Sequence, residues 1–218
     1  MNPLATSSEW ESDVLGLRVG VISSDKIPAV DAVRAVNRES FDVVFVSCQK
    51  WVEQGEGRVA IDYLYDMEML APEEKAKTSC ISTITFPGKK HIDIARNATV
   101  ESRFMRDPLL SGKSQERYVR WLTDHQAYVP VEAPDSAFLV PVNDKDGARR
   151  ISLIVVDTEV RGTGIGTRLV RGAFSTEPSN RLWRVKVSAR NRRALRFYET
   201  IGFRVKSVST VFHVWISK

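Results

Sequence analysis

Cysteine and histidine are scarce in this chain, two and three residues among 218. Cys48 and Cys80 each sit inside an apolar stretch, so they read as buried thiols before a disulfide framework or a catalytic nucleophile. His91, His125 and His213 never fall at zinc-like spacing with one another or with cysteine, and no metal is expected. Long apolar runs are missing too: no window approaches the ~18 continuous residues of a membrane span. The opening Met-Asn-Pro-Leu-Ala-Thr-Ser-Ser-Glu-Trp has neither the basic nor the apolar part of a signal peptide. A cytoplasmic protein without a membrane partner is the expectation. The balance of 32 Lys+Arg against 27 Asp+Glu gives a net charge of +5. Much of the excess lies between Arg181 and Arg204, which favours an anionic ligand there. No zinc finger, RNA-binding aromatic motif or basic repeat accompanies it, so nucleic acid is not an expected partner.

What is present is ordinary for a globular chain, 43% hydrophobic and 27% charged residues. Periodicity and breakers predict a strand over Leu15–Ile22, a helix over Ile27–Val36 and strands over Phe41–Ser47 and Arg58–Met69. Ala71–Lys77 is polar and begins Ala-Pro, which sets a boundary between a smaller unit at 1–77 and a larger one at 78–218. The larger part reads as a strand over Cys80–Phe86, helices over Ile92–Phe104 and Gln115–Leu122, and strands over Ala127–Glu132, Ala137–Val142 and Arg149–Val156. A helix over Ile165–Phe174, a strand over Trp183–Val187, a helix over Asn191–Ile201 and two strands, Phe203–Ser209 and Val211–Ile216, complete it. This order describes an α/β mixed-sheet domain preceded by a smaller, incomplete α/β unit.

Between strand 149–156 and helix 165–174 lies Arg161-Gly-Thr-Gly-Ile-Gly166. A dinucleotide fingerprint needs its third glycine one residue later, and a P-loop needs Lys-Ser/Thr where Thr167-Arg168 stands. A tight turn without a ligand is one reading. The other is a phosphate cradle: the strand and the following helix aim successive N–H groups and the positive end of a helix dipole at one place. Gly162, Gly164 and Gly166 would let backbone approach where a Cβ would block it, and Arg161 adds charge.

Two stretches carry a resemblance. Val156-x-x-x-x-Arg161-Gly-x-Gly-Ile-Gly166-x-x-Leu169 resembles the acyl-CoA signature of the Gcn5-related N-acetyltransferase (GNAT) family. Ser188-Ala-Arg-Asn191-x-x-Ala194-x-x-Phe197-Tyr198-x-x-x-Gly202-Phe203 resembles that family's helix on the other side of coenzyme A. The resemblance implies acetyl-CoA as acyl donor, its phosphates held at Arg161, Gly162, Thr163, Gly164, Ile165, Gly166 and Thr167. It further implies that strand 149–156 splays from the strand beginning near Arg181. Pantetheine would pair with backbone at Ile154, Val155 and Val156, and an N–H near Val156 would polarise the thioester carbonyl. Asn191 is implied to cap its helix and bond the cofactor's arm. Tyr198 is implied as general acid to the departing thiolate, the alternative being a helix tyrosine packed for its ring. The strand before the glycine run carries no carboxylate, so either water relays the amine's proton or the amine arrives neutral.

Trp10-Glu-Ser-Asp-Val-Leu-Gly16-x-x-x-Gly20, Ser102-Arg-Phe104-x-x-Asp107-Pro108 and Tyr118-x-x-Trp121-Leu122 are similar to the dTDP-4-amino-4,6-dideoxygalactose acetyltransferases. This resemblance implies a nucleotide-linked amino sugar as acceptor. Arg103 would pair with a diphosphate, Phe104 would stack on a base or sugar, and Asp107 would hold hydroxyls or the amine. Alternatively Arg103 and Asp107 form a helix-stabilising i,i+4 pair and Phe104 is core. A lysine or other amine acetyltransferase and a non-catalytic coenzyme A sensor are the rival readings. The end Val211–Ile216 is a candidate dimer edge.

Overall fold

The computed structural model describes residues 4–50, 61–73, 80–98 and 102–216. In chain order the elements are β1 (Thr6–Ser7), α1 (Glu9–Leu15), β2 (Val19–Ser24), α2 (Val30–Asn37), β3 (Val43–Cys48), β4 (Asp62–Leu70) and β5 (Ile81–Ile84). Then follow α3 (Lys89–Asn97), α4 (Arg103–Arg106), α5 (Ser114–Thr123), β6 (Ala127–Pro130), β7 (Ala137–Asn143), β8 (Arg149–Val156), α6 (Ile165–Ser175), β9 (Leu182–Ser188), α7 (Arg192–Ile201) and β10 (Arg204–Trp215). All the strands join one mixed sheet in the order β1-β2-β3-β10-β4-β9-β8-β7-β6-β5. The boundary expected at 71–77 falls between β4 and β5, its last residues lying outside the described ones. The sheet itself runs on, because β10 pairs with β3 along Thr210–Trp215 and with β4 along Arg204–Val211.

Several expectations are corrected. Leu15 ends a helix rather than starting a strand: Gly16 takes φ 59, the left-handed conformation that stops α1, and the strand begins at Val19. The two final strands are one, bent by a bulge between Val205 and Ser207, since no turn former stands near Thr210. Along its far end, Thr210–Trp215, β3 occupies one edge, while the pairing with β4 on the other stops at Val211. The helix expected over Ile92–Phe104 is two, α3 and α4, with residues 99–101 outside the described ones; residues 58–60 of the expected strand Arg58–Met69 lie outside them as well.

The helices cover the sheet through stripes the sequence sets. Along α6, Ile165, Leu169, Val170, Ala173 and Phe174 are buried, the spacing of one helical face, and pack with Trp183, Tyr198 and Phe203. On the opposite face Ile94, Ala95, Val119 and Leu122 of α3 and α5 meet Phe138, Val140, Leu153 and Val155. β3, apolar almost throughout and paired parallel to β2, is buried on both faces.

Candidate active site

The register of β8 against β7 slips once: Val140 faces Leu153 while Pro141 faces Ile151, leaving Ser152 as a surplus residue. A bulge bends its strand and turns it from one neighbour. Parallel pairing of β8 with β9 covers Arg149–Ile151 with Trp183–Val185 and goes no further. Beyond Ser152, β8 stays bonded to β7 as far as Val156 opposite Ala137. Along Leu153–Val156 it has no strand partner on the β9 side, where Ile154, Val155 and Val156 were expected to meet an extended ligand.

This opening leads to the glycine turn. Gly162 and Gly164 have φ 84 and 82, conformations that disfavour any side chain. Gly164 is the N-cap of α6, so the N–H groups of Ile165, Gly166 and Thr167 have no carbonyl one turn back and point out of the helix end. Gly166 allows close packing: a Cβ there would lie 3.3 Å from Phe197 and 3.4 Å from Val156. Thr163 Oγ1 donates to the Val160 carbonyl at 2.7 Å and Arg168 donates to the Thr163 carbonyl at 3.1 Å, which fixes the turn. Arg161 folds back onto the Val156 carbonyl at 3.0 Å. Partial burial and the like charge of Arg193 lower the Arg161 pKa. Two guanidiniums near one helix N-terminus suit a polyanion. Asn191 accepts from Ala194 N–H at 3.0 Å as the cap of α7.

Tyr198 lies on α7, 3% exposed, with its ring against Phe197 and Phe203. Its hydroxyl has no hydrogen-bond partner among the described residues. Burial pushes the phenol's pKa up, so it remains protonated through the physiological range.

Where β8 and β9 part, a cavity of about 310 Å³ is lined by Ile151, Ser152, Leu153, Lys186 and Ser188 of these strands. Asp62 and Leu64 of β4 and Ser102, Arg103, Phe104, Arg117, Tyr118 and Trp121 add the other wall. Two guanidiniums stack on Phe104: Arg103 at 4.6 Å and Arg117 at 4.1 Å from the ring centre. Arg117 also lies 3.9 Å from the Trp121 ring and binds Glu11 through two hydrogen bonds of 2.9 and 2.5 Å. Burial alone would raise the Glu11 pKa, but Arg117 outweighs it and the carboxyl lies below its ordinary value. Trp10, beside Glu11 on α1, stacks on Trp121 at 5.7 Å. Arg103 makes no ion pair at contact distance among the described residues, although Glu11 and Asp62 act on its charge from farther off, and its buried Nε has no hydrogen-bond partner. Burial, then the neighbouring charge of Arg117, push its pKa down to about 10. The other basic side chains of the wall are matched: Arg150 with Asp144 at 2.8 Å and Lys186 with Asp66 at 3.2 Å.

Three acceptor residues were expected at this wall. The structure places Arg103 and Phe104 in it, Phe104 only 1% exposed. Asp107 is turned to the core: β10 brings His213 and Trp215 beside it, and both rings meet its Oδ2, at 2.8 and 3.1 Å. Neither is Asp107 paired with Arg103, since the chain has left the helix by this point.

Residues 127–216, from the start of β6 through the end of β10, match the family model of the acetyltransferase (GNAT) domain. By this match the segment is similar to GNAT acetyltransferase domains. The chain is 30% identical over 86 residues to peptidyl-lysine N-acetyltransferase YjaB of Escherichia coli (strain K12), an overlap of 36% of this chain and 56% of that protein. It thus spans little more than half the length of that relative. A GCN5-related N-acetyltransferase from Kribbella flavida has the same fold, with TM-score 0.53 at 13% identity over 90% of this chain and 81% of that one. A conserved protein of unknown function from Staphylococcus epidermidis ATCC 12228 gives TM-score 0.59 at 12% identity, covering 91% and 84%.

In the segment 127–216 and its N-terminal partner strands, sequence reading missed Ser152 as the bulge, Arg193 as the second charge near the turn, and Asp62 and Arg117 in the cavity. Only Arg193 had a local signal, three residues into a basic run after Ala189. Ser152 shows only in the register against Val140 and Pro141, and Arg117 and Asp62 are held by contacts across more than 100 residues, to Glu11 and to Ser188.

Proposed function

We propose that the protein transfers an acetyl group from acetyl-CoA to the amine of a nucleotide-linked amino sugar. The unpaired edge of β8 beyond Ser152, running into the glycine turn at the head of α6, carries the transferase part. In this reading the pyrophosphate rests on residues 161–167 and Arg161, helped by Arg193, while Asn191 bonds the cofactor's arm. Pantetheine pairs with β8 at Ile154–Val156, where an N–H near Val156 stabilises the oxyanion. The amine nitrogen attacks the thioester carbon, the C–N bond forms, the C–S bond breaks, and Tyr198 gives its proton to the departing sulfur. A phenol kept protonated by burial acts as an acid and not as a base.

The sugar part rests on the cavity. Arg103 presents a guanidinium that no carboxylate of the described residues pairs at ion-pair distance, suited to a diphosphate, over an aromatic floor of Phe104 and Trp121. Residues 1–77 complete the acceptor side through Glu11, which holds Arg117, and through Asp62. The relative named as a peptidyl-lysine N-acetyltransferase favours a second reading, a peptide amine as acceptor; Arg103 and Arg117 together on this wall oppose a cationic chain there.

Free thiol release from acetyl-CoA, with product mass, decides between them across dTDP-4-amino-4,6-dideoxy sugars, UDP-amino sugars, aminoglycosides and a lysine peptide. Release with a nucleotide sugar alone, and one acetyl added to it, is the expected result. Release with peptide or drug alone keeps the chemistry and replaces the acceptor.

A further inference from the structure

One carboxylate of the cavity wall has no part in the steps above. Asp62 opens β4, and its side chain is 1% exposed. Tyr63 N–H at 2.9 Å, Ser188 Oγ at 2.9 Å and Arg106 Nη1 at 3.0 Å all meet the same oxygen, Oδ1. Oδ2 has no partner among the described residues. A carboxylate oxygen without a protein donor takes one from solvent or ligand, and Asp62 lines the cavity where either would supply it. Ser188, which fixes Oδ1, ends β9, the strand that β8 leaves at Ile151. Asp62 therefore stands at the mouth of the opening proposed to hold the thioester, with Arg103 on the same cavity wall.

We infer that Asp62 is the acceptor-side catalytic residue: Oδ2 receives an N–H of the incoming amine and takes its proton as the C–N bond forms. The inference rests on the transferase reading. As nitrogen loses one proton to Oδ2, the C–S bond breaks and sulfur takes one from Tyr198; water then carries the proton from Asp62 back to the phenolate. Both side chains return to their starting state, and one thiol and one amide are the products. Ser188 and Arg106 act through Asp62, holding Oδ1 so that Oδ2 faces the cavity; they are positioning residues. The pairing also orients the acceptor, with its amine at Asp62 and its anionic group at Arg103. Amines that carry a phosphate or carboxylate are thus preferred over the same amines without one.

Thiol release driven by the best amine of the panel is to be compared in wild type, Asp62→Asn and Asp62→Glu, alongside acetyl-CoA affinity by calorimetry and amine-independent hydrolysis of acetyl-CoA. Loss of a positioned proton acceptor is worth ~100-fold or more. Asp62→Asn should therefore lose about that much amine-driven rate, with affinity for acetyl-CoA and background hydrolysis within twofold. Asp62→Glu, which retains the charge facing Arg106, should lose roughly tenfold. Wild-type rates in Asp62→Asn, or acetyl-CoA affinity falling in step with rate, would overturn the assignment. Should Asp62→Asn not fold, Asp62→Glu decides: a tenfold loss supports the assignment and an unchanged rate overturns it. Wild-type protein that binds acetyl-CoA but releases thiol with no amine overturns the transferase reading, and this assignment with it.

Discussion

Strand β9 has two neighbours and meets them differently. Against β4 it is paired along its whole length, Leu182 to Ser188 opposite Leu70 to Leu64. Against β8 the ladder covers only Trp183 to Val185. The same Leu-Trp-Arg-Val-Lys-Val-Ser serves both sides, so the opening is no weakness of β9. It is made by a single surplus residue in the other strand, Ser152, and the closed side supplies the rigid reference against which β8 bends away. A slot for an extended ligand arises without a loop and without cutting a strand short.

Deleting Ser152 breaks this contrast most directly. Ile151 packs with the α6 face and Leu153 with the α3 and α5 face, so the alternation already obeys a regular strand and survives the deletion. β8 should then continue pairing with β9. Acetyl-CoA affinity by calorimetry should fall on the order of 100-fold or more, as a competing strand fills the slot, since proper backbone hydrogen bonds are worth ~1 kcal/mol each. Retained affinity would separate the bulge from the slot. A smaller effect sharpens the open side: Tyr198→Phe keeps the ring contacts with Phe197 and Phe203 and removes the proton. Turnover in the thiol assay should drop by roughly 10²-fold, with acetyl-CoA binding unchanged; a parallel loss of binding would make Tyr198 a packing residue.

The smallest effect belongs to the closed side, where β10 carries His213. Burial lowers its pKa against the opposing pull of the Asp107 hydrogen bond, so the folded protein prefers neutral imidazole. Unfolded chain takes up that proton below ~6.5 and folded chain does so only at lower pH, hence stability falls as pH drops through this window. Asp107 and its neighbouring donors, which hold its carboxyl below the ordinary value, add a loss only in more acidic solution. The melting midpoint should be flat above pH 7 and decline by about 2–4 °C between pH 7 and 5.5. His213→Asn should flatten that slope, and an unchanged slope would place the acid sensitivity elsewhere.

The strand, glycine turn and helices from β8 to α7 were largely legible because their parts are close in sequence. Arg161 to Gly166, the apolar β8 and the Asn191-to-Phe203 helix each declare themselves within about a dozen residues, by glycine spacing and helical stripe. The bulge was not legible, since Ser152 in a run of Ile, Leu and Val looks like any strand residue; only its register against Val140 and Pro141 shows the slip. Arg103 and Phe104 do share one cavity wall, while Asp107 is turned to His213 and Trp215, surroundings set by a strand about a hundred residues later. Asp62 and Arg117 belong to pairs that only tertiary folding creates. Local stop signals also outweighed pattern at Gly16, where a left-handed glycine ended a helix inside what periodicity read as strand.

β10 joins β3 to β4, yet it follows both by more than 130 residues in the chain. During synthesis the two earlier strands have no way to meet until residues 204–215 leave the ribosome, so the centre of the sheet is the last part to close. Until then β3, with its Val-Val-Phe-Val core, offers an unpaired apolar edge, the kind of edge through which chains add to one another. The long loop closures involved also slow folding. Shortening or capping the region after Phe203 is thus a route to aggregation during expression even for variants whose finished fold would be stable.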